Sequence, residues 1–261
     1  MKRDLIMGLP LDTPKEFITE FKDANIYNSS CSHEARVYFI DTGNGFYLKS
    51  AEKGSLEREA QMTDYFFGKG LSPRMLSYIS RDRDWILTER VKGEDCTDSE
   101  YLSNPKRLAQ LMGERLRALH SMDCGDCPIQ DRVSEYISLA ERNYSTGNYD
   151  KSSFPDSFGY KSAEEAYKVL SEGKHLLKND ALIHGDYCLP NMILDNWRFS
   201  SFIDVGNGGK GDRHIDLFWG SWTLWFNLKT SEYKNTFLDA YGRDAINEDI
   251  LKIIAAAEVF G

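Results

Sequence analysis

Two hydrophobic periods divide the chain. Up to Val91, short runs of β-branched and aromatic residues alternate with turn residues, the pattern of strands. Residues 35–40 (Ala-Arg-Val-Tyr-Phe-Ile) form one such run, Thr42-Gly-Asn-Gly45 is a turn, and residues 46–49 are the returning strand of a hairpin. Residues 75–80 and 85–91 predict two more strands, joined by a charged turn over 81–84. Between these pairs, Leu56, Ala60, Met62, Tyr65 and Phe66 recur at helical spacing and stop at Gly68 and Gly70, which predicts one helix over 56–67. Beyond Lys92-Gly93 the period becomes helical. Pro105 opens a long helix whose apolar face, with Leu108, Leu111, Met112, Leu116 and Leu119, runs to His120. Further helices are expected over 133–144, 163–178, 217–229, 233–241 and 248–260, with a polar and aromatic surface loop over 145–160. The expectation is an α+β protein of two lobes, 1–91 and 92–261.

Charge narrows the partners. The 261 residues carry 32 Lys and Arg against 41 Asp and Glu, a net charge of −9, which excludes a general phosphate-backbone binder of nucleic acid. An acidic cleft would instead concentrate a cationic ligand. The first residues lack the apolar core of a signal peptide, and no run approaches the ~18 apolar residues of a membrane span. A cytoplasmic protein is expected, and five cysteines, an odd number, suit a reducing compartment. Cys124-Gly-Asp-Cys127 has the spacing of a redox or metal motif, but with no second such pair and no nearby histidine pair it reads as an ordinary loop.

The most informative segment is 182–194, Leu-Ile-His-Gly-Asp-Tyr-Cys-Leu-Pro-Asn-Met-Ile-Leu. An apolar strand runs into His184-Gly185-Asp186, and Asn191 follows five positions later. A second apolar strand over 201–206 ends in Asp204-Val-Gly206, and the two strands are expected to bring two carboxylates and a carboxamide to one edge. Phosphoryl transfer from a nucleotide needs that set: one carboxylate to orient the attacking hydroxyl and accept its proton, and a carboxylate with an amide oxygen to hold Mg²⁺. Protein kinases place His-x-Asp-x-x-x-x-Asn and Asp-Phe-Gly in the same order with the same offset. Such a site also needs a strand lysine on the phosphates and a helix glutamate behind it. Lys49 ends the hairpin, and Glu59, ten residues on, lies in the next helix; Glu57 in that helix faces elsewhere. Tyr47 shares a strand face with Lys49 and either stacks on a flat base or packs as ordinary core.

These residues, with 30–38 (Ser-Cys-Ser-His-Glu-Ala-Arg-Val-Tyr), Leu119-His-Ser-Met-Asp123, residues 208–217 and Ala257-Glu-Val-Phe260, resemble the aminoglycoside phosphotransferases, in particular the 3'-phosphotransferases, over nearly the whole chain. The resemblance implies a kinase-like fold, with a five-stranded antiparallel sheet and one helix joined to a helical lobe. It implies Asp186 as the catalytic base, Asn191 and Asp204 as Mg²⁺ ligands, and Lys49 on the phosphates of ATP or GTP with Glu59 behind it. Tyr47 would stack on the base, Ser32 would lie in the loop over the phosphates, and the backbone of 88–91, with Glu89 and Val91, would read the base edge. His184 and Asp216 would brace the catalytic loop, while Asp156, Glu258 and Phe260 would meet a cationic aminosugar antibiotic.

The acceptor side departs from that pattern. The loop over 148–158 carries only Asp150 and Asp156, partly offset by Lys151, and the helix over 219–227 presents Trp222 and Trp225 where charged residues can lie, unless these two are core of the helical lobe. The leading expectation is a kinase for an aminoglycoside hydroxyl, the 3'-hydroxyl foremost, that confers resistance. A second reading keeps the chemistry and changes the acceptor to another antibiotic, a small metabolite alcohol or an amino sugar. A third is a nucleotide-binding module without turnover. Oligomeric state is left open.

Overall fold

The computed structural model describes residues 4–31, 35–150 and 158–261. In chain order it contains β1 (Asp4–Ile6), α1 (Lys15–Glu20), β2 (Asn25–Asn28), β3 (Arg36–Asp41), β4 (Phe46–Glu52), α2 (Glu57–Gly68), β5 (Met75–Ser80), β6 (Arg83–Glu89), β7 (Glu94–Asp95), α3 (Ser99–Leu102) and α4 (Pro105–His120). These are followed by α5 (Arg132–Thr146), α6 (Ala163–Gly173), β8 (Ala181–Ile183), β9 (Met192–Asp195), β10 (Arg198–Phe202), β11 (Gly209–Gly211), α7 (Arg213–Leu228), α8 (Lys234–Tyr241) and α9 (Glu248–Glu258). The chain packs as two compact units, Met1–Asp98 with Pro190–Asn207, and Ser99–Leu189 with Gly208–Gly261. A border at residue 91 separates β7 from the β9–β10 hairpin, whereas β7 pairs with β9 and so draws 190–207 into the first unit.

In the first unit a six-stranded antiparallel sheet has the order β1-β2-β3-β4-β6-β5. The resemblance implied five strands and one helix, and the periodicity located four strands; the sheet has one strand more than the resemblance implied, and β1, α1 and β2 are elements the periodicity did not show. Strand alternation sorts the side chains onto two faces. Ile26, Tyr38, Ile40, Leu48, Trp85 and Leu87 bury one face against Phe17 of α1 and Phe21 at its end. Ala51 and Ile86 bury the other against Leu56 and Ala60 at the start of α2. Lys49 lies in register with Val37 and Ile86, on the α2 face. The expected turn over 81–84 is tighter than that, because β6 begins at Arg83. Asp84 is wholly buried there, and its Oδ2 accepts the Leu56 N–H at the start of α2 at 3.0 Å and the Tyr78 hydroxyl at 3.1 Å.

In the second unit, α4 begins where Asn104 Oδ1 accepts the Arg107 N–H and Pro105 occupies the first turn. Its stripe Leu108, Met112, Leu116 and Leu119 is buried. A Cβ on Gly113 would stand 2.3 Å from the Phe237 carbonyl oxygen, so only glycine lets α4 and α8 approach this closely. A second cluster joins Leu170 of α6, Ile215 of α7 and Ile254 and Phe260 from the C-terminal segment. Helix α6 stops at Gly173, short of the expected residue 178, and α7 begins four residues earlier than expected, with Asp212 Oδ1 accepting the His214 N–H. The two strands expected at one edge lie in different sheets: β8 pairs with β11 in the second unit, and β10 pairs with β9 in the first. The apolar run over 201–206 is strand only to Phe202, and Met192–Asp195 supplies its partner.

Candidate active site

The first unit gathers one cation and two carboxylates. Lys49 Nζ donates to Glu59 Oε2 and to Asp204 Oδ1, each at 2.7 Å. Burial works against the lysine's charge, but the two carboxylates outweigh it and hold the ammonium above the usual lysine range. The two acids differ in access: the Glu59 side chain is 14% exposed and that of Asp204 51%. Glu59 is therefore the fixed partner, whereas Asp204 can also turn to a ligand. Glu57 is exposed, as its position on α2 requires.

Asp204 has a positive φ of 59°, uncommon for a residue with a side chain, and leads into a 3-10 turn at Val205–Asn207. A Cβ on Gly206 in that turn would stand 3.2 Å from Glu59 Cβ, so the missing side chain lets the turn lie against the Lys49 partner. The Asn191 carbonyl oxygen accepts the Ile203 N–H at 3.0 Å, which brings the two candidate metal donors, Asn191 and Asp204, close together in the chain path. Among the described residues no set of three His, Cys, Asp or Glu is gathered for a metal. One carboxylate and one carboxamide, both oxygen donors, nevertheless suit Mg²⁺, which takes few protein ligands and completes its shell with water and phosphate oxygens.

Tyr47 is half-buried with its ring centroid 5.2 Å from that of Phe39. Glu89 ends β6 with its side chain exposed and its N–H on the Arg74 carbonyl at 3.0 Å. The next N–H, of Arg90, donates to Gly45, which fixes the backbone entering Val91. Ser32 lies outside the described residues.

The second unit carries Asp186 on a loop held from behind by Asp216. The His184 N–H donates to Asp216 Oδ2 and the Gly185 N–H to Oδ1, each at 2.7 Å. Asp216 Oδ2 also receives His120 Nε2 at 3.1 Å, and His120 Nδ1 meets the Tyr241 hydroxyl at 2.9 Å. A carboxylate accepts only, so His120 carries its proton on Nε2 and takes the Tyr241 proton on Nδ1. Asp216 and His184 are fully buried. The Asp186 N–H points back to His184 Nδ1 at 3.3 Å, and further along the loop the Leu189 N–H donates to Thr223 Oγ1 of α7 at 3.1 Å. The loop that carries Asp186 is thus held by side chains of α4, α7 and α8 through buried hydrogen bonds.

A model of the phosphotransferase enzyme family matches residues 31–252. The chain belongs to that family. Over 249 residues it is 49% identical to the "Probable aminoglycoside 3'-phosphotransferase" of Lactococcus lactis subsp. lactis, covering 95% of each chain. It is 28% identical over 207 residues to an aminoglycoside 3'-phosphotransferase of Niallia circulans, covering 79% of each. The crystal structure of an aminoglycoside-3'-phosphotransferase of type VIII superimposes with a TM-score of 0.76 at 24% identity, covering 95% of this chain and 97% of that one. A Streptomyces rimosus aminoglycoside phosphotransferase in complex with ADP and streptomycin gives 0.72 at 21% identity, covering 86% and 90%. The α+β fold is that of these enzymes, and the chain is a phosphotransferase acting on a hydroxyl.

Glu258, expected to meet the acceptor, is buried, and its Oε1 accepts the Tyr136 hydroxyl at 2.8 Å and Trp219 Nε1–H at 2.9 Å. Burial pushes its carboxyl up to about 7; the two hydrogen bonds oppose the rise and the charge of Asp186 adds to it. Phe260, expected to touch substrate, is wholly buried with its ring 5.3 Å from both Tyr144 and Tyr149, so it is core of the second unit. Asp156 lies outside the described residues. Sequence reasoning misses Tyr241, Tyr136 and Trp219 as partners of buried polar groups. His120 enters it only within a motif, yet a histidine at the end of an apolar helix stripe is the available signal.

No helix among the described residues is long and apolar enough to cross a membrane.

Proposed function

We propose that this phosphotransferase moves the γ-phosphoryl group of ATP to a hydroxyl of an aminoglycoside, the 3'-hydroxyl foremost, and so confers resistance to the antibiotic. The 49% identity to the Lactococcus lactis protein across 95% of both chains supports the acceptor class, and the ADP bound to the Streptomyces rimosus neighbour favours ATP over GTP. The observation that carries the chemistry is the Lys49 ammonium shared between a buried Glu59 and a half-exposed Asp204. An ammonium held in that way meets phosphate oxygens while Glu59 keeps it in place.

In this reading the first unit binds the nucleotide. Lys49 contacts phosphate oxygens, Tyr47 lies against the base, and the backbone from Glu89 to Val91 meets the base edge. Ser32 belongs to the loop over the phosphates. Asn191 and Asp204 hold Mg²⁺, which supplies charge neutralisation of the phosphates when bound. The second unit binds the acceptor. Asp186 orients the acceptor hydroxyl and takes its proton as the oxygen bonds to the γ-phosphorus and the bond from that phosphorus to the β–γ bridging oxygen breaks. Glu258 faces an acceptor ammonium, with Asp156 in the same role. A cytoplasmic setting, with its supply of ATP, belongs to the same reading.

The test is Mg²⁺-dependent nucleotide consumption with kanamycin and neomycin, on wild type and Asp186→Ala. Either antibiotic should stimulate wild-type turnover, and Asp186→Ala should lower kcat by about 10²–10⁴-fold. Turnover that no aminoglycoside stimulates would end the acceptor assignment, and an unimpaired Asp186→Ala would end the role of that base.

A further inference from the structure

Glu59, the fixed partner of Lys49, lies in the first turn of α2, three residues after the one that opens the helix. Leu56 is that opening residue. Its carbonyl accepts the first helical N–H, from Ala60, at 2.9 Å, and it has no side-chain oxygen to cap the free N–H groups of the turn. Ser55, one position earlier, turns its hydroxyl to the Glu52 carbonyl at 2.6 Å. A glutamate three residues into a helix is placed to fold back and accept the N–H of the opening residue. Glu59 has that place, yet its carboxylate faces the other way, to Lys49 at 2.7 Å.

Another acid does the helix's work. Asp84, 28 residues beyond Leu56, lies in β6 in register with Ala51 of β4 and Ser80 of β5. It is wholly buried, and its Oδ2 accepts the Leu56 N–H at 3.0 Å and the Tyr78 hydroxyl at 3.1 Å. Burial raises its carboxyl, but the Gly54 N–H, the Ser80 hydroxyl, the Leu56 N–H and the Tyr78 hydroxyl outweigh burial and hold it below the usual carboxylate range. A full negative charge therefore stands at the positive end of α2. Leu56 is buried with Ala51, Ala60 and Ile86, so its N–H needs a partner from within the protein.

We infer that Asp84 is a positioning residue for the Lys49 ammonium: by taking the Leu56 N–H it fixes the first turn of α2 and leaves the Glu59 carboxylate to the lysine. Without Asp84, Glu59 is the acid placed to answer that N–H, and a carboxylate turned back to the helix start no longer holds the ammonium. Lys49 then keeps only Asp204, the half-exposed partner that can turn to a ligand, and loses its fixed point. The inference rests on the reading that Lys49 meets nucleotide phosphate, and it adds the residue that keeps Glu59 free for that task.

The experiment measures the Kd of ATP with Mg²⁺ by calorimetry, without acceptor, and follows folding by melting curves. Asp84→Ala should weaken ATP by about five- to tenfold. Asp84→Asn keeps an acceptor for the Leu56 N–H and should stay within about twofold of wild type. Tyr78→Phe removes the other hydrogen bond to the same oxygen, so it should lower the melting temperature and leave Kd within about twofold. In a Glu59→Gln background, where the charged partner of Lys49 is already gone, Asp84→Ala should add less than about twofold. If Asp84→Ala does not fold, Asp84→Ser, whose hydroxyl falls short of the Leu56 N–H, takes its place with the same expected loss. An Asp84→Ala protein that binds ATP as wild type does overturns the inference, as does an equal factor in both backgrounds or an equal loss in Tyr78→Phe, either of which would trace the effect to stability alone. In those cases weakening by Lys49→Met leaves the phosphate reading standing. If Lys49→Met binds ATP like wild type, the reading and the inference fall together.

Discussion

In the first unit, Lys49 stands between Glu59 and Asp204, and opposite charges satisfy one another at 2.7 Å. In the second unit, Asp216 and Glu258 are more deeply buried, and backbone N–H groups, a histidine, a tyrosine and a tryptophan satisfy them. The difference has physical consequences. The Lys49 ammonium, held by two carboxylates, keeps its charge over a wide pH range and can exchange one partner for a charged ligand, while burial raises the Glu59 carboxyl as well. A buried carboxylate held by neutral donors is directed well but titrates nearer neutrality where desolvation wins, as Glu258 does. The first arrangement suits a polyanion such as a nucleotide, and the second suits a hydroxyl that must be aimed.

Substitutions can break this contrast at either end. The largest effect is expected from Asp216→Ala, which leaves the buried His184 N–H, Gly185 N–H and His120 Nε2–H without their acceptor. Stability should fall by about 3–5 kcal/mol in urea unfolding, and a loss below about 1 kcal/mol would show that Asp216 is not the anchor of the loop.

Glu258→Gln tests the neutral-donor side through pH. The folded carboxyl, at about 7, binds a proton that the unfolded one, at about 4.3, has released. Stability from this group is therefore full below about pH 4.5 and is lost as pH rises through 7. Glutamine keeps an acceptor for Tyr136 and Trp219 and removes the titration. The advantage of the variant over wild type should grow by about 2–3 kcal/mol between pH 5 and pH 8. Parallel stability curves for the two proteins would contradict the shift.

On the charged side, Lys49→Met strands Glu59 in a buried position and should cost about 1–3 kcal/mol, together with a rise of tenfold or more in ATP KM. Adding Glu59→Gln should restore much of the stability and none of the ATP affinity. Recovery of both would mean that the lysine does not meet phosphate. The smallest effect is expected for Gly206→Ala, whose methyl would press on Glu59 at 3.2 Å. A loss of about 1 kcal/mol and a severalfold rise in ATP KM, read from melting and steady-state kinetics, would place the turn in the same unit of function as the ion pair.

Local features are legible in the amino-acid sequence alone. The spacing of α4 gives its bounds outright, since proline and apolar stripe act within a few residues. Lys49 and Glu59 are legible as a pair because a strand, a turn and one helical turn separate them, so short-range geometry brings them together. Sequence also carries the order His184, Asp186, Asn191, Asp204, and with it the chemistry. Tertiary structure decided the rest, because strand pairing and the partners of buried groups depend on residues far apart in the chain. It put β8 and β10 in different sheets, gave the N-terminal segment three elements, and buried Phe260 among tyrosines that lie far earlier in the chain. Whether a carboxylate is answered by charge, as Asp204 is by Lys49, or by a tyrosine and a tryptophan, as Glu258 is, depends on which distant side chains the packing brings to it.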